Sequence, residues 1–215
     1  KPFTRFWANN PPEYNRDWNN PFNGGNVYDI NFGNTTRTGY YAVKFRVEVP
    51  SPFGVDWPVI RLAEVLLIHA EALFEKNGSI TDQQLDLTIN KLRDRAGLPA
   101  LTNSFVSTNG LDMRTEIRRE RTIELFLEGF RFDDLRRWKN AETEMPMALE
   151  GVLWRGTQYD TDSRWGDIDF PQNGDGYIIV EPTGKRKFEE KHYLFPLPTR
   201  QILLNPNLEQ NPGWS

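Results

Sequence analysis

DMRTEIRRERTIELFLEGFRFDDLRRW, residues 112–138, is the stretch whose reading decides the fold. Asp112 supplies a helix cap, and at roughly 100° per residue Met113, Ile117, Glu120, Glu124, Leu127, Glu128, Arg131, Leu135 and Trp138 share one narrow face if the helix continues through Gly129. That face mixes carboxylates with core residues. A second apolar arc, Ile123, Phe126 and Phe130, points roughly the opposite way, so this is expected to be a central helix covered on two sides. Glu120 and Glu124 are too costly to bury there alone, and Arg118, Arg119, Arg121, Arg131 and Arg136 are the nearby cations that could pair with them. The expected result is an internal Glu/Arg lattice that holds helices in register. Two other readings use the same residues. A carboxylate-bridged metal pair needs Glu-x-x-His spacing on neighbouring helices, and His69 and His192 lie in no such spacing. A solvated charged face suits Arg118, Arg119, Arg136 and Arg137 equally well.

Upstream, Pro58 suits a first helical position, and Val59, Leu62, Ala63, Leu66, Leu67, Ala70, Leu73 and Phe74 follow the three-four spacing of a buried helix face until Gly78 stops it. Arg61 and Glu64, three apart, could pair with each other, or either could reach the central helix. His69 reads as a hydrogen-bonded helix residue. Thr81-x-x-Gln84 is a capping-box pattern, and Leu85, Ile89, Leu92 and Ala96 predict a second amphipathic helix ending at Gly97-Leu98-Pro99. Ala100–Leu111 reads as a polar loop. Short turns make such helices pack antiparallel, which predicts a mainly α, tetratricopeptide-like scaffold with long irregular loops and a few short strands. An array of this type needs about three repeats or more, so part of its partner surface is expected to lie outside the chain.

Residues 1–40 carry Phe3, Phe6, Trp7, Tyr14, Trp18, Phe22 and Tyr28 among nine asparagines, with little helical periodicity. Rings interleaved with amides suit a sugar site, where rings lie on the apolar face of a pyranose and amides reach its hydroxyls. The same rings could equally pin an irregular segment onto the helices. Gly39–Val49 alternates as a short strand before Pro50 and Pro52. Residues 141–176 lose periodicity. Asn173-Gly-Asp-Gly176 fails as a calcium loop, because Pro171 and Pro182 would fall on ligand positions, and is read as a turn feeding a strand over Tyr177–Val180. Asp160, Asp162, Asp167 and Asp169 could at most hold a surface cation, and no motif marks two of them as a glycosidase pair. In the tail, Tyr193-Leu-Phe-Pro-Leu-Pro198 is extended, Thr199–Leu204 makes a helical turn, and Trp214 suggests that the end is docked.

The 215 residues carry a net charge of −4 with no long basic run, which argues against a nucleic-acid partner. No cysteine is present, so thiolate metal sites, disulfides and thiol catalysis are excluded for this chain. No apolar run approaches the ~18 residues of a membrane span, and the first residues have neither the charged start nor the apolar middle of a signal peptide.

The strings WPVIRLAEVLLIHAEAL, INKLRDRAGLP, IRRERTIELFLEGFRFDDLRRW, YLFPLPTRQI and NPNLEQNPGW, in this order, resemble the C-terminal half of the SusD/RagB family of outer-membrane nutrient-binding lipoproteins. The resemblance runs from about residue 39 to the end. It implies a protein on the outer face of the cell outer membrane, held by a lipid anchor absent from this chain, that binds glycans and passes them to a TonB-dependent transporter without acting as an enzyme. A peptide-binding member of the family and a purely protein-interaction scaffold are the alternatives. No cofactor and no metal site is expected from the residues. The expected organisation is a 1–57 aromatic and Asn-rich segment, a 58–139 three-helix core and a 140–215 loop-rich segment docked on it, all one domain and part of a larger protein. The resemblance places Arg61, Glu64, Glu120, Glu124 and Arg131 in the architecture as structural ion pairs. Trp7, Tyr14, Trp18, Asn9 and Asn10 are the expected ligand contacts, on composition and loop position alone.

Overall fold

The computed structural model describes Thr38, Tyr40, Lys44, residues 58–157, Asp160 and residues 171–214. Trp7, Asn9, Asn10, Tyr14 and Trp18, and all of the expected 39–49 strand except Tyr40 and Lys44, lie outside the described residues. The described residues are mainly helical, with one two-stranded sheet, and fall into two compact units. One holds Lys44 and 58–132, and the other Thr38, Tyr40 and the described residues from Asp133 onward.

In the first unit, α1 (Leu62–Asn77) buries Ala63, Leu67, Ala70 and Phe74, the face expected from the three-four spacing. It begins at Leu62 rather than Pro58 because Arg61 is extended, at φ −139°, and its side chain leaves the helix to reach carboxylates elsewhere in the unit. Gly78 ends it at φ +70°, its N–H donating to the Phe74 carbonyl. Instead of one helix over 82–96 there are two, α2 (Asp82–Leu87) and α3 (Ile89–Arg95), broken at Thr88. The buried Thr88 hydroxyl donates to the Gln84 carbonyl at 2.6 Å, competing with the backbone ladder at that point. The expected loop at 100–111 contains a short helix, α4 (Asn103–Thr108), started by the Thr102 hydroxyl accepting from Phe105 N and held inward by Val106.

Helix α5 (Met113–Glu124) packs on α1 and α3, burying Met113, Ile117 and Glu120. It does not continue through Gly129. Leu125 is buried after the last turn, while Leu127 and Gly129 take positive φ (63° and 88°), which interrupts the helix before α6 (Arg131–Arg137). The break reorganises the second arc: Ile123 and Phe126 are exposed and Phe130 packs on the core of the unit. Asp112 caps α5 through Thr115 N at 2.8 Å and also accepts from the Thr115 hydroxyl, which holds its carboxyl below the usual range. Asp112→Ala is expected to cost about 0.5–2 kcal/mol in a denaturant titration, with Asp112→Asn recovering most of the loss.

In the second unit, Leu135, Ala141 and Tyr193 form a small cluster joined by Met145 and Phe188. Ala141 begins the one-turn α7 (Ala141–Glu144). β1 (Leu149–Leu153), which the sequence reading leaves as loop, pairs antiparallel with β2 (Tyr177–Glu181) in the register Glu150↔Ile179, with irregularities on either side. Asn173 Oδ1 accepts from Asp175 N and Tyr177 N, making the expected turn into β2. Val152 N donates to the Thr38 carbonyl, and that approach requires Gly151, since a Cβ there would sit 2.5 Å from the same oxygen.

Candidate functional site

The charged residues of the first unit are held by one another. Arg93 Nη1 donates to the Glu120 carboxylate while its Nε donates to the Pro99 carbonyl at 2.6 Å, and each of the two residues is only 9% exposed. Arg61 spans two carboxylates, reaching Glu124 Oε1 at 2.6 Å and Glu128 Oε2 and Oε1 at 2.6 Å each. Lys44 adds a contact to Glu128, and Arg95 approaches both Glu124 oxygens at 2.7 Å. Arg61 and Lys44 also donate to the Glu124 carbonyl, and Lys44 to the Phe126 carbonyl, so two cations cap the end of α5 where its carbonyls have no helical partner. Among the described residues Glu64 forms no ion pair. Arg131 donates to the Thr122 hydroxyl at 2.8 Å.

Burial pushes the Glu128 carboxyl up, but hydrogen bonds from Arg61 and then Lys44 outweigh it and leave the group below its ordinary value of 4.5. The hydrogen bond to Glu128 raises Arg61, against its desolvation. A carboxyl lowered by folding contributes stability above its unfolded value, and that contribution is lost as pH falls through the folded value. Glu128→Gln is therefore expected to be less stable than the parent near neutrality yet to lose less stability between pH ~6 and pH ~3. Denaturant midpoints at the two pH values measure this, and parallel losses would remove Glu128 from the acid response.

A concave surface lies in the second unit. Arg136 and Arg137 from the last turn of α6, Lys139, Glu190 and Lys191, and Leu194, Pro212 and Gly213 from the tail surround a cleft of about 720 Å³ with Tyr193 in its wall. Tyr193 ends a 3-10 turn, Glu190–Tyr193, that Glu189 and His192 cap reciprocally, with His192 Nδ1 accepting from Glu189 N. Side-chain amides and the Trp214 indole fold the tail back beside the cleft. Gln210 bridges Leu197 N and O at 2.7 and 2.9 Å, Asn211 Nδ2 donates to Phe195 O, and the Trp214 indole donates to Lys191 O and Leu194 O at 2.9 Å. Each cation here has both a carboxylate and a ring. Arg136 meets Asp133 and Phe195, Arg137 meets Asp134 and Trp138, Lys139 meets Glu190 and Tyr193, and Lys191 meets Glu189 and Trp214.

The cleft is thus lined by more cations than carboxylates, with an apolar wall and exposed polar pairs, notably Lys139 and Glu190, which an incoming hydroxyl or amide could engage. Such a surface can bind and orient a polar ligand. None of its residues was an expected ligand contact. The reason is that helix, turn and tail converge here through contacts up to 57 residues apart, such as Arg136 Nη2 to Tyr193 O. Among the described residues no cluster of three or more acidic or histidine side chains could hold a metal ion, and no helix is long and apolar enough to cross a membrane. Trp154 is buried, and Asp162, Asp167 and Asp169 lie outside the described residues.

The family model described as the SusD family matches residues 3–214, nearly the whole chain. The chain belongs to the SusD family. A SusD-like protein of Bacteroides ovatus is 26% identical over 166 residues, which are 72% of this chain and 29% of the relative. A solved SusD-like carbohydrate-binding protein of Bacteroides fragilis is 30% identical with a TM-score of 0.62, over 81% of this chain and 34% of its own. A second solved SusD-like protein of that organism is also 30% identical, with a TM-score of 0.52 over 77% and 28%. The SusD-family chain described here therefore spans about a third of the length of the relatives it matches, and its mainly helical architecture is that of the solved members.

Proposed function

We propose that this SusD-family chain belongs to a non-catalytic cell-surface protein that binds glycan nutrients and delivers them to a TonB-dependent outer-membrane transporter, held to the outer face of the membrane by a lipid anchor. The observation that carries the reading is the family match over residues 3–214, joined to a solved relative described as carbohydrate-binding. The cleft beside Tyr193 supports it, because a concave surface with an apolar wall and exchangeable polar pairs suits a hydroxyl-rich ligand. Trp7, Tyr14 and Trp18, with Asn9 and Asn10, are proposed as further contacts, rings for the sugar face and amides for its hydroxyls.

The test is affinity electrophoresis and calorimetry of the family-length protein against plant, host and microbial polysaccharides, with a peptide set alongside. Binding to a polysaccharide without release of reducing ends is expected. Alanine at Trp7 and Trp18 should weaken it, and so should the pair Lys139→Ala and Glu190→Ala if the cleft takes part. Peptide binding with silence across the polysaccharides would overturn the glycan reading. Reducing ends lost on substitution of a single carboxylate would overturn the non-catalytic one.

A further inference from the structure

The cleft beside Tyr193 differs in charge from the chain that forms it. Its lining holds four cations, Arg136, Arg137, Lys139 and Lys191, against two carboxylates, Asp133 and Glu190, while the whole chain has a net charge of −4. The two signs are also placed differently. The lining carboxylates stand out in water, their side chains 76% and 75% exposed, whereas Arg136 and Lys191 lie in the wall at 19% and 34%. Arg136 stacks on Phe195 and donates to the Tyr193 carbonyl, and Lys139 and Lys191 lie over the rings of Tyr193 and Trp214. Rings and carbonyls position these heads and leave their formal charge in place.

Carboxylates outside the lining offset part of the surplus. The buried Asp134 answers Arg137 from behind. Glu189 is exposed and pairs with Lys191, and Lys191, followed by His192 and Lys187, holds its carboxyl below the usual range. The surplus at the cleft therefore rests on Lys139 and Lys191, whose carboxylate partners are in solvent. Exposed pairs of this kind contribute little and exchange readily. A concave wall with one sign in excess concentrates its field on whatever enters.

We infer that the cleft takes an acidic saccharide, a sugar bearing carboxylate or sulfate groups. Lys139 and Lys191 meet its anionic oxygens in place of Glu190 and Glu189, while the exposed Leu194 and Pro212 offer apolar surface to the ring. The inference rests on the glycan reading above and narrows it to a charge class. It also predicts a reversal of sign between neighbours. Removing the positive charge of Lys139 weakens the binding of an anion and removing the negative charge of Glu190 strengthens it, whereas a neutral ligand shows no such reversal. The double alanine variant leaves the net charge unchanged, so it reports whether the cleft takes part and not the charge of its ligand.

The experiment is calorimetry of the family-length protein with two matched pairs of oligosaccharides. One pair is oligogalacturonate and its methyl ester, the other a sulfated galactan oligosaccharide and its desulfated form. At least one acidic form is expected to bind ~10-fold or more tightly than its neutral counterpart, and which pair responds separates carboxylate from sulfate. Lys139→Gln with Lys191→Gln is expected to weaken that binding at least ~5-fold, and Glu190→Gln to strengthen it about 2-fold. Equal binding of acidic and neutral forms would overturn the inference and leave the glycan reading standing, as would silence toward both acidic forms in a protein that binds a neutral polysaccharide. Acidic binding that ignores all three substitutions would place the anion elsewhere and overturn it as well. Silence toward every saccharide would overturn both readings.

Discussion

Glu120→Ala is expected to lower the stability of this chain by about 3–5 kcal/mol, because it leaves the Arg93 guanidinium buried with only the Pro99 carbonyl as a described partner. The loss arises from an uncompensated charge and exceeds anything the pair contributes as an attraction. Replacing both partners by apolar residues of similar volume, Arg93→Met with Glu120→Leu, is therefore expected to recover most or all of it. A denaturant cycle through the parent, the two single variants and the double variant measures the coupling directly. A single-variant loss under about 1 kcal/mol is the value of a solvent-exposed pair, and would show that the charges are hydrated in solution.

Leu67→Ala is expected to cost about 2–5 kcal/mol, since its side chain is fully buried where α1 meets the core of the first unit and its removal leaves a cavity. Leu62→Ala, one turn earlier on the opposite face, is expected to stay within about 0.5 kcal/mol in the same chain. Thermal melts of the two variants compare the faces of one helix under identical conditions. Equal losses would mean that both faces are covered within the 215 residues.

Much of the helical framework is legible in the residues themselves. Three-four spacing marks the buried face of α1, the Thr81 and Gln84 pattern forms the reciprocal cap of α2, and Gly78 and Gly97 take the positive φ that ends their helices. The misreadings have a common cause. Thr88 can stay in a helix or take a carbonyl from it, and local pattern does not decide which. Likewise, Gly129 tolerates a helix as well as a break, and at the break Arg61 and Lys44 hold the carbonyls at the end of α5. The cleft is harder still to read, because its cations look like an ordinary solvated face until the tail folds back beside them.

Helical spacing alone marks Glu120 and Glu124 as side chains that need counter-ions, and ordered family strings point to the SusD family. Those are properties of neighbours along the chain, or of a pattern repeated among relatives. Which cation meets which carboxylate was decided only in three dimensions. Arg93 lies 27 residues before Glu120, and Arg61 lies 63 before Glu124 and 67 before Glu128. At such separations spacing carries no information about distance, and partners are set by how helices pack and where their turns break.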